Sequence, residues 1–182
     1  MTEGVLPCTT KGFHEIRTGD ALPVKKSPYR VPYALQEEMK HQLDEMIRKG
    51  VITPCASWAA PVILVPKKSV DGTPKYRFCT DFRGLYSVTP IPVYPIPDIK
   101  SNLSLMPGSK YFTLLDIKNA YWNIPIKEGD KDKTGFMTPF GSFRYEKMAF
   151  GLAGAPATFS KVMDTVLMGL RDVEYLVYLD DF

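Results

Sequence analysis

The stretch Val173-Glu174-Tyr175-Leu176-Val177-Tyr178-Leu179-Asp180-Asp181 decides how the rest of this chain is interpreted. It predicts an apolar strand from Val173 to Leu179 that ends in two adjacent carboxylates. Like charges at the end of a buried strand repel one another, and their desolvation adds to the cost. A divalent cation would remove this conflict. The alternative is that Asp180-Asp181 is a polar turn with no ligand.

A third carboxylate, Asp116, ends a second predicted strand. Strand 111–116, an amphipathic helix over 155–170 and strand 173–179 together predict a βαβ crossover. Because such crossovers are right-handed, the carboxyl ends of the two strands meet at the same edge of the sheet. Carboxylates converging there could hold two Mg²⁺ ions about 4 Å apart, an arrangement that serves phosphoryl transfer. The alternative is that Asp116 caps a helix.

The rest of the pattern predicts mixed helices and hairpins. The predicted elements are a helix from Pro32 to Lys49, a hairpin of Val62–Val65 and Lys75–Arg83 around Asp71-Gly72, an extended connection over 87–97, a short helix from Asp98 to Leu105, and a hairpin of Thr134–Thr138 and Ser142–Lys147 around Gly141. Pro156 is expected to open the long amphipathic helix, since proline suits the first helical turn.

Composition excludes several classes of protein. The 182 residues are 45% hydrophobic and 24% charged, which is typical of a globular chain rather than a disordered or fibrous one. Three scattered cysteines and two histidines give no disulfide framework and no zinc site. The apolar runs are too short to span a bilayer, so no membrane partner is expected.

Positive charge is concentrated in residues 67–83. This window holds five basic and two acidic residues, an excess of three that equals the net charge of the whole chain, +3. The pattern favours contact with nucleic acid or with nucleotide phosphates. The alternative is a solvated hairpin face.

Nine short motifs occur in series along the chain from residue 50 to residue 181. They are Gly50-Val51-Ile52-Thr53-Pro54, Trp58-Ala59-Ala60-Pro61-Val62, Arg77-Phe78-Cys79-Thr80-Asp81-Phe82-Arg83, Tyr94-Pro95-Ile96-Pro97, Leu115-Asp116-Ile117, Lys133-Thr134-Gly135-Phe136, Phe150-Gly151-Leu152, Ala155-Pro156-Ala157-Thr158-Phe159 and Tyr178-Leu179-Asp180-Asp181. The last resembles the Y-x-D-D box of reverse transcriptases. The series resembles the reverse transcriptase domain of gypsy-type LTR retrotransposon Pol polyproteins over residues 14–182.

The resemblance implies an α+β fold: reverse-transcriptase fingers plus an incomplete palm. The palm would be a split βαβ, ferredoxin-like sheet that lacks a central strand, because the chain ends at Phe182. The implied divisions are an extended N-terminal arm (1–31), the first part of the fingers (32–110), a palm strand (111–116), a fingers/palm insertion (117–150), and the palm helix with the strand ending at the Asp-Asp turn (151–182).

The resemblance also implies an RNA-directed DNA polymerase, a nucleotidyltransferase that adds dNTPs to a primer 3′-hydroxyl. Asp116, Asp180 and Asp181 would be catalytic and, with the Ile117 carbonyl, would bind two Mg²⁺ ions, Mn²⁺ being an alternative. The implied nucleotide-binding residues are Lys67, Lys68, Arg77, Tyr121, Phe150 and Gly151. Tyr121 would be an aromatic gate beneath the sugar; its alternative role is core packing beside Trp122.

The partners implied are an RNA or DNA template with primer, dNTP, and the remainder of the Pol polyprotein: thumb, connection and RNase H. The full element would act in a cytoplasmic virus-like particle. The 182-residue chain is expected to be inactive alone. An alternative is a non-catalytic remnant that retains nucleic-acid binding, and a phosphatase or nuclease is a less favoured third class.

Several positions depart from the family pattern. The departures are Ala56-Ser57 before Trp58, Tyr86 in place of Asn, Pro92-Val93 before Tyr94, Ala149 in place of Pro, and Gly154 in place of Asn. Together they suggest mild erosion, and Tyr86 suggests the loss of a polar contact. None of them removes a candidate catalytic carboxylate.

Overall fold

The computed structural model describes residues 4–55, 57–68, 74–91 and 117–169, together with positions 94, 100, 104, 107–108, 110–111 and 113. Within the continuous described ranges the helices are α1 (Tyr33–Arg48), α2 (Arg83–Tyr86) and α3 (Ala155–Val166), with 3₁₀ turns at Ala120–Asn123 and Glu128–Thr134. Its strands are β1 (Ile52–Pro54), β2 (Val62–Lys67), β3 (Lys75–Thr80), β4 (Phe136–Thr138) and β5 (Gly141–Tyr145).

Three predicted elements lie largely or wholly outside the described residues. They are the short helix from Asp98 to Leu105, the strand from Tyr111 to Leu115, and the strand from Val173 to Leu179. These elements, the βαβ crossover built on them and the division into fingers and palm therefore stay predictions.

Helix α1 confirms the predicted helix almost to the residue. It begins after Pro32, whose fixed φ suits a helix start, and ends at Arg48 with a basic residue in the last turn. Met39, Leu43 and Met46 are buried along one stripe, at the spacing of an amphipathic helix. The helix is therefore held by burial of this face.

The basic hairpin consists of β2 and β3, antiparallel from Val62 opposite Thr80 to Lys67 opposite Lys75. The prediction that the second strand runs to Arg83 is wrong. Asp81 accepts the backbone N–H of Arg83 at 3.1 Å, which turns the chain into α2 after Thr80. A local side-chain bond of this kind competes with the strand ladder.

A second sheet has the strand order β1-β5-β4, all antiparallel. The predicted hairpin around Gly141 is confirmed. The prediction that Thr134 begins its first strand is wrong, because Thr134 ends a 3₁₀ turn. The Thr134 hydroxyl donates to the Lys131 carbonyl at 2.6 Å and accepts the Tyr145 amide at 2.9 Å.

The core is centred on Phe136, which is fully buried. Its ring lies 5.5 Å from Phe78 of the basic hairpin and 5.0 Å from Tyr145 of the second sheet. The preceding residue, Gly135, approaches the Trp58 carbonyl so closely that a Cβ would lie 2.3 Å from the oxygen. The segment before β4 therefore passes the segment before β2 at a point where only glycine fits.

Residues 4–31 run as an extended segment across these elements. Its backbone amides donate hydrogen bonds to carbonyl groups elsewhere: Thr9 to Asn123 (2.7 Å), His14 to Pro125 (2.8 Å) and Lys26 to Ala59 (2.8 Å). The segment thus contacts the end of the first 3₁₀ turn, the residues that follow it, and the region just before β2. Among the described residues, no helix has the length and apolar character needed to cross a bilayer.

Candidate nucleotide-binding site

The predicted metal site is represented in the described residues by Ile117 alone. Ile117 is half-buried and packs against the core. Asp116, Asp180 and Asp181 lie outside the described residues, and the described part of the chain holds no other group of three His, Cys, Asp or Glu side chains suited to a metal. The convergence of the three carboxylates therefore stays a prediction.

Three predicted nucleotide-binding residues lie together. The Tyr121 ring lies 5.0 Å from the Phe150 ring, and Gly151 follows Phe150 directly. On its other side Tyr121 lies 5.7 Å from Phe159 of α3. We call Tyr121, Phe150 and Phe159 the aromatic cluster. Phe159 is buried and Phe150 is 60% exposed, so the cluster runs from the core to the surface.

Local backbone geometry presents Tyr121 at this edge of the core. Asn119 adopts the left-handed conformation, with φ 56°, which asparagine tolerates better than most residues. The 3₁₀ turn then begins at Ala120, which is buried. Tyr121 itself is half-buried, so its contacts agree with both predicted roles, the gate and core packing, and the gate stays a prediction.

The loop at Gly151 is tied to α2 by Tyr86. The Tyr86 hydroxyl donates a hydrogen bond to the Gly151 carbonyl. Tyr86 therefore makes a polar contact of its own at this position, and the loss of the contact that the family's Asn would make stays a prediction. Burial, and secondarily the charge of Asp81, raise the pKa of Tyr86, so the hydroxyl remains a protonated donor.

An ion pair secures the end of the basic hairpin. Arg83 contacts both oxygens of Asp81, at 2.7–3.1 Å, and the Tyr29 hydroxyl donates to Asp81 at 2.7 Å. The Arg83 hydrogen bonds, and then that of Tyr29, hold the pKa of Asp81 well below its usual value. Arg83, which belongs to the basic window, is therefore paired with Asp81.

The remaining cations of the predicted site lie along the hairpin. Lys67, Lys68 and Arg77 are exposed, and Lys67 faces Lys75 across the ladder. At the other end, a Cβ on Gly151 would lie 3.9 Å from the Thr80 carbonyl. Lys67 is five ladder positions from that end, about 17 Å along the strand. The structure therefore brings Tyr121, Phe150 and Gly151 together and leaves the two lysines at the far end of the hairpin.

Gly154 explains another departure from the family pattern. It precedes α3 with φ 73°, in the left-handed region that glycine adopts freely and asparagine adopts more readily than most residues. Pro156 lies in the first turn, as predicted. Gly154 therefore suits the backbone conformation found here, and the suggestion that the departures reflect erosion stays untested.

His14 is a structural residue that the sequence did not reveal. It is 1% exposed, and its Nδ1 lies 2.8 Å from the Thr158 hydroxyl of α3. Burial lowers the pKa of His14 to about 4, although the charge of Asp130 opposes this shift. No local pattern links His14 to Thr158, because the two residues are 144 positions apart.

Comparison with known proteins identifies the family. The profile described as "Reverse transcriptase (RNA-dependent DNA polymerase)" matches residues 65–182, more than half of the chain. The chain belongs to the reverse transcriptase family. This confirms the resemblance and the motif series that carried it.

Related polyproteins and solved structures agree with this assignment of a reverse transcriptase domain. The chain is 37% identical, over 92% of its length, to the Pol polyprotein from transposon opus and 32% identical, over 99%, to that from transposon gypsy, both of Drosophila melanogaster. It spans only 17% and 18% of those two proteins.

The fold matches that of prototype foamy virus protease-reverse transcriptase. One crystal structure gives a TM-score of 0.78 at 26% identity, covering 93% of this chain and 22% of the viral one. The foamy viral enzyme has also been solved with an RNA/DNA hybrid, at TM-score 0.74 and 20% identity over 93% of this chain and 22% of that one. The predicted α+β reverse-transcriptase fold is therefore confirmed.

Proposed function

We propose that this reverse transcriptase chain carries out RNA-directed DNA synthesis as part of a longer Pol polyprotein. The observation that carries the proposal is the ordered motif series, which ends in Tyr178-Leu179-Asp180-Asp181 within the matched family region. The reaction is attack of a primer 3′-hydroxyl on the α-phosphate of a dNTP, with pyrophosphate leaving.

Three carboxylates form the proposed catalytic centre. Asp116, Asp180 and Asp181, with the Ile117 carbonyl, supply the hard oxygen ligands that Mg²⁺ prefers. Two bound Mg²⁺ ions would supply charge neutralisation at the reacting oxygens. The predicted crossover would bring these carboxylates to one sheet edge, and the reaction needs no histidine or cysteine nucleophile.

The nucleotide is proposed to lie between the aromatic cluster and the basic hairpin. Tyr121 offers a ring to the sugar, while the Phe150–Gly151 loop borders the base pair that forms. Arg77 can contact phosphate through two N–H groups, and Lys67 or Lys68 through a point charge. Because both lysines lie toward the far end of the hairpin, we infer that the hairpin bends over the triphosphate when a nucleotide binds.

The proposed partners are a primed RNA or DNA template, dNTPs and the other parts of the Pol polyprotein, and the proposed location is a cytoplasmic virus-like particle. The foamy viral relative binds an RNA/DNA hybrid and double-stranded DNA according to its solved complexes. Because the curated relatives are several times longer, we expect the 182-residue chain alone to give no measurable extension.

A primer-extension assay tests this function. The 182-residue chain and the longer Pol protein of the same element are each given primed poly(rA), dTTP and Mg²⁺. We expect extension by the longer protein only, and a loss of about 10³-fold for Asp181→Asn, because a metal ligand contributes several kcal/mol to the transition state.

Two outcomes would replace the proposal. Template binding without extension by the longer protein would favour the non-catalytic remnant. Metal-dependent cleavage of nucleic acid in the absence of dNTPs would favour a nuclease.

A further inference from the structure

The Tyr86 side chain joins two parts of the candidate site that are 65 positions apart in the sequence. Tyr86 is the last residue of α2, and its hydroxyl donates to the Gly151 carbonyl. We propose that Tyr86 is a positioning residue that holds the Phe150–Gly151 loop in its nucleotide-contacting conformation. This inference rests on the proposed function.

Helix α2 is a fixed base for the tyrosine. Leu85 is buried, and the Tyr86 amide donates to the Phe82 carbonyl at 2.9 Å. Gly84 approaches the N-terminal segment so closely that a Cβ would lie 2.9 Å from Val24. Packing on both sides therefore leaves the Tyr86 backbone little freedom to move.

The loop that Tyr86 contacts is loosely packed by comparison. Gly151 is exposed and has φ 82°, and a Cβ there would meet its nearest neighbour, the Thr80 carbonyl, at an ordinary contact distance of 3.9 Å. Phe150 is 60% exposed. Contacts on the Cβ side of Gly151 therefore do not fix its backbone, whereas Tyr86 contacts its carbonyl directly.

A change in that peptide would reach the aromatic cluster. Phe150 is covalently adjacent to Gly151, and its ring lies 5.0 Å from Tyr121. Release of the Gly151 carbonyl from Tyr86 would free the backbone torsions of Gly151, and a change in them would shift Phe150 relative to Tyr121. The hydroxyl thereby controls the surface offered to the nucleotide without touching it.

The test compares Tyr86→Phe with Tyr33→Phe, a matched change at a tyrosine that is 89% exposed. Hydrogen exchange on the 182-residue chain reports the loop, and steady-state extension by the longer Pol protein reports the nucleotide. For Tyr86→Phe we expect faster exchange over residues 149–153. We also expect about a fivefold rise in KM for dNTP with kcat unchanged, the effect of one lost hydrogen bond. Tyr33→Phe should change neither.

Each contrary result is decisive. Unchanged loop exchange in Tyr86→Phe would overturn the positioning role. Faster exchange with an unchanged KM would show that the loop contact does not serve nucleotide binding, and would overturn it equally. A fivefold loss of kcat with KM unchanged would also overturn the positioning role. If the unsubstituted Pol protein made no DNA, the proposed function itself would fail and this role with it, while the exchange data would still report the contact.

Discussion

His14 Nδ1 lies 2.8 Å from the Thr158 hydroxyl, and this contact fastens the N-terminal segment to α3. Ile16, two residues further on, attaches the same segment to the 3₁₀ turn at Glu128–Thr134. The Ile16 amide donates to Asp130 at 2.9 Å, and Lys133 donates to the Ile16 carbonyl at 2.7 Å. Since α3 also carries Phe159, the N-terminal segment helps to hold the helix that supports the aromatic cluster.

Stability should fall between pH 6.5 and pH 4 because of His14. Burial lowers its pKa from 6.5 to about 4, so in this window the unfolded chain takes up a proton that the folded chain refuses. Full protonation costs about 3 kcal/mol of unfolding free energy, and the stability is regained as the pH rises. Urea unfolding across this window measures the effect.

A matched pair of variants isolates the histidine. His14→Gln should reduce the pH dependence between pH 6.5 and pH 4, whereas His41→Gln, at an exposed position, should retain it. The slope that remains near pH 4 comes from carboxyl groups with a lowered pKa, such as that of Glu146. Asp81 affects stability only at lower pH, because the pKa of its carboxyl lies below the usual 3.8. An unchanged slope in His14→Gln would contradict the account.

Gly135→Ala should destabilise the chain by about 3 kcal/mol. The new Cβ would lie 2.3 Å from the Trp58 carbonyl oxygen, which is backbone and cannot rotate away. Gly129→Ala is the control, because a Cβ there meets nothing within 4 Å. Thermal unfolding that ranked the two variants equally would show that the close approach at Gly135 is wrong.

Gly154→Asn should cost less stability than Gly154→Ala. At φ 73° the left-handed conformation destabilises the folded chain by about 1–2 kcal/mol for alanine and by less for asparagine. Circular dichroism melting of both variants makes the comparison. A more stable alanine variant would mean that this residue does not adopt the left-handed conformation before α3.

Local patterns predicted the elements whose determinants are local. The apolar stripe of Met39, Leu43 and Met46 defined α1, and the alternation after Lys75 defined β3. The strand β1 was missed because it has three residues and one is Pro54. Its place depends on pairing with β5 some 90 positions later, from Ile52 opposite Tyr145.

The candidate site was predictable only in part, for the same reason. Motifs predicted Tyr121, Phe150 and Gly151, and these residues lie together, while their contact with a nucleotide stays a prediction. The predicted end of β3 is wrong because Asp81 accepts a hydrogen bond from the Arg83 amide. The alternation of apolar and polar residues does not encode this contact. The bond from Tyr86 to Gly151 was missed since no periodic pattern relates residues that far apart.

Asp116, Asp180 and Asp181 are proposed to share one divalent-metal site. Iron(II) can replace magnesium at such a site and, with ascorbate and peroxide, cut the backbone beside it. Mass spectrometry of the longer Pol protein should find cuts near Asp116 and near Asp180-Asp181, both suppressed by excess Mg²⁺ and both lost in Asp181→Asn. Cuts near Asp180-Asp181 with none near Asp116 would contradict the account.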